Sequence, residues 1–265
     1  MTHGGARIAA IGLLTGFGHG VEALPDDAEG AAAGRDVVPI ATPPVTGDRF
    51  RRATRECVLG VAAVDAALRN AGLTRDDVRG SDTALVYVTA AAYGAANRTF
   101  AGAAGGPLHF PYTAPSAVPA EVAIEFGFTG SYVILIGGST ATLEALWHAA
   151  SLVRRGAAAR ALVVAVETFA ECADLYARAR RLLARPLVEA AACAVIVPDA
   201  ESPAWQPAAG AGPLDALARR RAGETLACGP LVALALGADG RGPAAVTGYW
   251  RGRRTGLGWP ATSAI

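Results

Sequence analysis

The chain has 265 residues, 52% of them hydrophobic and only 6% aromatic, so its core must be built mainly from Ala, Val, Leu and Ile, a composition that suits helices packed closely on a buried sheet. All 24 cationic side chains are arginine and stand against 23 acidic ones, and the net charge of +1 is too balanced for a general nucleic-acid binder. No charged N-terminal segment leads into a long apolar stretch and no apolar run reaches about 18 residues, so neither secretion nor membrane spanning is expected and the expected location is the cytoplasm.

Arg7 to Leu13 is a short apolar run closed by Thr15 and Gly16, and it reads as a buried strand. Residues 25–50, with PDD, GAAAG, TPP and TGD, are turn-rich and read as a surface excursion. Between Arg51 and Leu73 the residues Val58, Val61, Ala62, Val64, Ala67 and Leu68 recur at helical spacing before Gly72, which predicts an amphipathic helix on the sheet. Ala84 to Thr89 reads as a second buried strand. The stretch from Ala90 to Thr113 is dense in Gly and Ala, and its length without apparent structure marks either a functional loop or an unrecognised helix. Val118 to Phe126 is a helix closed by Gly127. Val133 to Ile136, Ala161 to Val166 and Ala192 to Val197 are strands separated by helices, the alternation of a layered α/β fold.

Residues 201–212, rich in Pro, Ala and Gly, read as a linker or loop. Leu226 to Tyr249 reads as a helix and then a strand over Ala244 to Tyr249, placed to extend the edge of the sheet. Arg251-Gly252-Arg253-Arg254 follows as a solvated end, with docking of an acidic partner as the functional alternative. Cys57, Cys172, Cys193 and Cys228 show no CxxC spacing and sit in apolar or helical contexts, as buried free thiols do, and no metal or cofactor site is expected.

Ser131 to Glu167, SYVILIGGSTATLEALWHAASLVRRGAAARALVVAVE, carries the chemistry. It reads as strand, glycine turn, helix, strand, with Gly137-Gly138-Ser139-Thr140-Ala141 at the turn. A strand that releases a helix so abruptly exposes the unpaired N–H groups of the helix at the side chain on the turn, and nucleophiles are often mounted there. Ser139 or Thr140 is equally an ordinary N-cap residue, and the local pattern leaves both accounts open. Serine needs a base, and His148 lies about 13 Å along the same helix on its opposite face, so His109, in the loop before the next helix, is the candidate base, its alternative being a solvent-facing loop histidine.

Four segments, in order, resemble the β-ketoacyl synthases, the thiolase-fold condensing enzymes of fatty-acid and polyketide synthesis. They are Arg7 to Leu24 (an opening strand and glycine loop), Arg51 to Leu73 (a first long helix), Pro111 to Gly130 (the helix before the nucleophile strand) and Ser131 to Glu167, with Arg154-Arg155-Gly156 and the acid that closes the next strand. The resemblance runs over residues 7–199 and implies a thiolase-like half: a single α/β domain over 1–265, with a mixed central sheet covered by helices on both faces and with residues 200–265 as a divergent C-terminal extension. It places Ser139 at the position of the family's cysteine. It places residues 109–116 along a dimer interface that shapes the partner's acyl tunnel, which makes Phe110, Thr113, Ala114 and Ser116 candidate substrate-binding residues, with Ala114 at a depth-gating position. Glu167 and Glu189 are expected to be structural, Glu167 holding N–H groups of the nucleophile turn.

The departures from the family are equally specific. The nucleophilic cysteine is replaced by serine, no histidine follows Glu189, and lysine is absent, so most of the family's C-terminal half is taken to be missing. Decarboxylative condensation by this chain alone is therefore not expected. The expected role is a truncated ketosynthase-like subunit of a type II polyketide or fatty-acid-like system, acting as a chain-length-factor-type partner. It would pair with a ketosynthase or with itself across a two-fold, with an acyl carrier protein as a further partner and neither nucleic acid nor membrane. The alternatives are a serine acyltransferase or thioesterase acting through Ser139 on carrier-protein or coenzyme A thioesters, and a non-covalent acyl-chain template.

Overall fold

A computed structural model describes residues 5–43, 53–104, 107–170, 173–174, 185–200, 205–208, 212–237 and 244–259. In chain order the first half supplies β1 (Gly5–Thr15), β2 (Gly18–His19), α1 (Ala28–Ala32), β3 (Val37–Val38), α2 (Arg55–Asn70), α3 (Arg75–Val78), β4 (Thr83–Thr89), α4 (Gly94–Thr99), α5 (Ala117–Phe126) and β5 (Tyr132–Ile136). The second half supplies α6 (Ser139–Arg154), β6 (Arg160–Glu167), β7 (Leu187–Val188), β8 (Ala190–Asp199), β9 (Gln206–Pro207), α7 (Pro213–Ala222), α8 (Gly229–Leu236), β10 (Ala244–Trp250) and β11 (Arg253–Trp259).

The central sheet has six strands in the order β2-β1-β8-β6-β4-β5. β5, β4 and β6 run parallel, β8 is antiparallel to both β6 and β1, and β1 carries a bulge between Ile8 and Ala10. Because strand side chains alternate between faces, β4, β6 and β8 bury both faces and read as continuous apolar runs. The two faces differ in bulk. Leu85, Tyr87, Leu162, Val164 and Val166 face the layer that contains α2 and α5. Ala84, Ala161, Ala165, Ala190, Ala192 and Ala194 face the layer built by α6, α7, α8 and the C-terminal strands. Small residues on that face let α6 lie close to the sheet.

Several expectations from sequence are corrected. Residues 25–43 are partly ordered: Asp27 caps α1, whose Ala28 and Ala32 are buried, and β3 pairs in parallel with β7. The 90–113 stretch contains α4, a π-helical turn over Phe100–Ala104 and a 3₁₀ segment over Pro107–Thr113, so the unrecognised-helix alternative holds. Within the supposed linker, Trp205 is buried and donates its indole N–H to the Ala6 carbonyl at 2.8 Å. The Ala244–Tyr249 strand does not extend the main sheet; it forms β10 of a separate three-stranded sheet, β10-β11-β9. The arginine cluster is the tip of that hairpin, where Arg251 and Gly252 both have positive φ (50° and 81°) as a tight two-residue turn requires. Cys172 and His3 lie outside the described residues.

Glu189 sits at the junction of these layers with no exposed surface. It accepts a bidentate ion pair from Arg55 (2.6 and 2.8 Å) and backbone N–H bonds from Ile40 (2.8 Å), Phe169 (2.6 Å) and Ala170 (2.7 Å). Removing the carboxylate leaves a guanidinium and three amides unmatched in a buried space, so Glu189→Ala is predicted to lower unfolding free energy by about 3–5 kcal/mol. Arg7→Ala, which breaks the looser surface pair with Asp199 at 3.8 Å, is predicted to cost about 1 kcal/mol or less, and denaturant titration of both variants checks the contrast.

Candidate functional site

β5 delivers the chain into Gly137 and Gly138, and α6 begins at Ser139 with Gly138 as its N-cap residue. No side chain caps this helix, so neither Ser139 nor Thr140 serves as its cap. The Ser139 hydroxyl instead crosses to β10, accepting from the Tyr249 N–H at 2.9 Å and donating to the Tyr249 carbonyl at 3.1 Å. Donor and acceptor capacity are thus engaged together by one backbone residue.

The contact exists because a glycine on each side gives it clearance. A Cβ on Gly248 would lie 2.6 Å from the Ser139 carbonyl carbon and 2.7 Å from the Thr140 nitrogen. A Cβ on Gly138 would lie 2.2 Å from the Trp250 ring, which therefore rests directly on the turn. The Arg251 guanidinium stands 5.8 Å over the same indole. β10 is held in place from behind by buried Asp215, which accepts from the Thr247 N–H (3.0 and 3.1 Å), the Thr247 hydroxyl (2.6 Å) and the Gly212 N–H (3.0 Å) at the start of α7. α6 is tied to the segment before α8 by Thr142, whose hydroxyl donates to the Ala227 carbonyl at 2.6 Å.

Glu167 lies fully buried at the end of β6. Its carboxylate accepts from the N–H groups of Ala90 (2.6 Å), Ala91 (3.0 Å) and Ala227 (3.3 Å), and the Thr89 hydroxyl lies at 3.4 Å. It therefore holds the turn after β4 and the segment before α8, not the N–H groups of the Ser139 turn. Burial pushes this carboxyl up to about 8, against the opposing pull of those donors.

The remaining candidates of the 109–116 stretch lie on the 3₁₀ segment and at the start of α5. His109 and Phe110 are exposed on the 3₁₀ segment, Phe110 at 63%, with the Phe100 and Phe110 ring centroids 5.7 Å apart. Thr113 donates to the Phe110 carbonyl at 2.7 Å, Ala114 is half-buried, and Ser116 precedes α5 without capping it through its side chain. His109 is not among the hydrogen-bond partners of Ser139. His148 is half-buried further along α6. Burial pushes the Cys57 thiol up to about 12 and raises Cys193 and Cys228 as well, so these three stay protonated at neutral pH. Among the described residues no group of His, Cys, Asp and Glu is disposed to hold a metal ion, and no helix is long and apolar enough to cross a membrane.

Residues 36–200 match the model of the β-ketoacyl synthase N-terminal domain. The chain belongs to the β-ketoacyl synthase family. Ketosynthase structures share its mixed, helix-flanked sheet. It superposes with a TM-score of 0.77 and 12% identity on a chain of AntDE:AntF, a type II polyketide synthase acyl-carrier protein in complex with its ketosynthase, covering 97% of this chain and 99% of that one. With the ishigamide ketosynthase/chain length factor the TM-score is 0.68 at 15% identity, covering 98% and 100%. With the ketosynthase ApeO in complex with its chain length factor ApeC, from Xenorhabdus doucetiae, it is 0.66 at 14% identity, covering 97% and 99%. No curated protein sequence matches the chain. The superpositions run almost end to end, so the β10–β11 region takes part in a ketosynthase-like fold although the matched N-terminal domain stops at residue 200.

Within this ketosynthase-family framework, Ser139 stands at the strand-to-helix turn where the resemblance places the family's cysteine. Sequence reasoning located that turn but missed Asp215, Gly248, Tyr249 and Trp250, which close over it. Ser139→Ala is predicted to cost about 1 kcal/mol through two half-exposed hydrogen bonds. Gly248→Ala is predicted to cost about 1–3 kcal/mol because backbone opposes the added carbon, and the ranking is checked by thermal unfolding. A carboxyl raised in the folded state gives stability that is full below about 4.5 and is lost as pH rises through about 8. The wild type is therefore predicted to lose more stability between pH 5 and 8.5 than Glu167→Gln, which cannot ionise, as measured by urea titration at the two pH values.

Proposed function

We propose that this chain is a non-condensing, ketosynthase-like partner subunit of the chain-length-factor type, working in the cytoplasm in a type II polyketide or fatty-acid-like system. The observation that carries the reading is the engagement of the Ser139 hydroxyl by both backbone groups of Tyr249, next to Gly138 on which the Trp250 ring rests. A hydroxyl in that state has its proton held by a backbone carbonyl and no base among its hydrogen-bond partners.

The outer edge of β5 supports a partner. Among the described residues β5 pairs only with β4, and Tyr132 and Ile136 at its ends are 56% and 52% exposed. An apolar strand edge of this kind is a template for pairing with another chain. A ketosynthase subunit fits that edge best, and a second copy of this chain across a two-fold is the homomeric form of the same contact. The structurally similar ApeO and ishigamide proteins are described with chain length factors, and AntDE with an acyl-carrier protein, which supports a ketosynthase and a carrier protein as partners here. Phe110, Thr113, Ala114 and Ser116 would then border the partner's acyl tunnel.

Incubation of the purified chain with acyl-carrier and malonyl thioesters is predicted to give no covalent adduct by intact mass spectrometry and no decarboxylation; an adduct lost in Ser139→Ala would instead establish the acyltransferase alternative. Co-expression with a ketosynthase encoded beside it is predicted to give a stable heterodimer by light scattering, disrupted by Ile136→Asp. A monomer that fails to co-purify with that ketosynthase would refute the partner role.

A further inference from the structure

The three consecutive arginines that end α7 do different things. Arg221 turns back and donates to the carbonyls of Leu24 (2.7 Å), Pro25 (3.1 Å) and Val21 (3.4 Å), fixing α7 against the loop before α1. Arg219 and Arg220 are exposed and join Arg185 around a cleft of about 370 Å³ between α1 and α7. Among the described residues, none of these three guanidinium groups has an acidic partner. Asp27 and Glu29 lie on the same rim; the two oxygens of Asp27 accept from the N–H groups of Glu29 (3.2 Å) and Gly30 (3.1 Å).

The cleft is also held in shape. Its floor is pinned by the Glu224 N–H on the Pro186 carbonyl and the Val188 N–H on the Glu224 carbonyl, both at 2.9 Å, and its walls by the Asp27 cap and the Arg221 clamp. The simplest account of Arg219 and Arg220 is that cations favour the last turn of a helix. That account leaves Arg185, which is not on α7, and the cleft itself without a reason.

We infer that this cleft binds a phosphorylated small molecule, with the phosphoryl group on Arg185, Arg219 and Arg220 and the organic part in the remaining volume. Guanidinium forks match phosphate oxygens and stay charged at any working pH. A terminal phosphoryl group offers three oxygens to three cations, where a carboxylate offers two; Asp27 and Glu29 on the rim oppose either anion. The volume falls in the range of small-molecule sites.

Calorimetry on the full chain at low salt tests this with inorganic phosphate, glucose 6-phosphate, glucose and acetate. Glucose 6-phosphate is expected to bind more tightly than inorganic phosphate, and glucose and acetate not measurably. Arg185→Ala, Arg219→Ala and Arg220→Ala are each expected to weaken binding about tenfold with the fold intact by circular dichroism. The Arg253→Ala/Arg254→Ala variant, which removes two charges from the β10–β11 hairpin, is expected to bind as the wild type does. Absence of phosphate binding, acetate binding as tight as phosphate, equal affinity for inorganic phosphate and the sugar phosphate, or binding that survives the triple cleft variant would each overturn the assignment.

Discussion

A strand can lie against the first turn of a helix only where neither backbone carries a side chain at the point of contact, and Gly138 and Gly248 provide that clearance on the two sides. The resulting approach brings the backbone of Tyr249 within hydrogen-bond distance of the Ser139 hydroxyl and seats Trp250 on the turn. The helix N-terminus that would favour charge on a nucleophile is thereby covered by a neutral hairpin backbone and an indole. What the turn does chemically is decided by this contact and not by the identity of the residue at position 139 alone.

Three buried acids hold the irregular parts of the chain around that contact. Asp215 anchors β10, Glu167 joins the turn after β4 to the segment before α8, and Glu189 joins α2 to the loop after β6. Each accepts backbone N–H groups that no strand or helix partner satisfies, which meets the requirement that buried amides be paired. Only Glu189 among them has a guanidinium partner at close range. Glu167 depends on neutral donors, which is why desolvation dominates its protonation while its neighbours remain ordered.

The central strands were legible in the sequence because β4, β6 and β8 are apolar on both faces, and α2 and α5 because glycine with positive φ closes or follows each. The strand-to-helix turn at Ser139 was legible for the same local reasons. Its partner was not, because a backbone N–H and carbonyl 110 residues away carry no side-chain signature. The β10–β11 turn was hidden by Arg251, a residue type seldom found at positive φ, and α1 by being only five residues long. Glu167 was expected at the nucleophile turn because sequence order places it after that helix, whereas strand order carries it beside the end of β4.

The alanine-lined face beneath α6 has a mechanical side. Ala161, Ala165, Ala190, Ala192 and Ala194 have no rotamers, so these positions lose no side-chain entropy on burial and have no side-chain freedom with which to absorb a change in volume, while Val86, Val88, Val163 and Ile196 fill the rest of the face. A larger residue at any of these positions must lift α6 as a rigid rod. The displacement would then reach Ser139 at the end of the rod, where the tolerance for the Tyr249 bonds is a few tenths of an ångström. The floor of the sheet thus sets the register of a contact made at the surface, and a substitution far from the turn can open it without touching any residue that forms it.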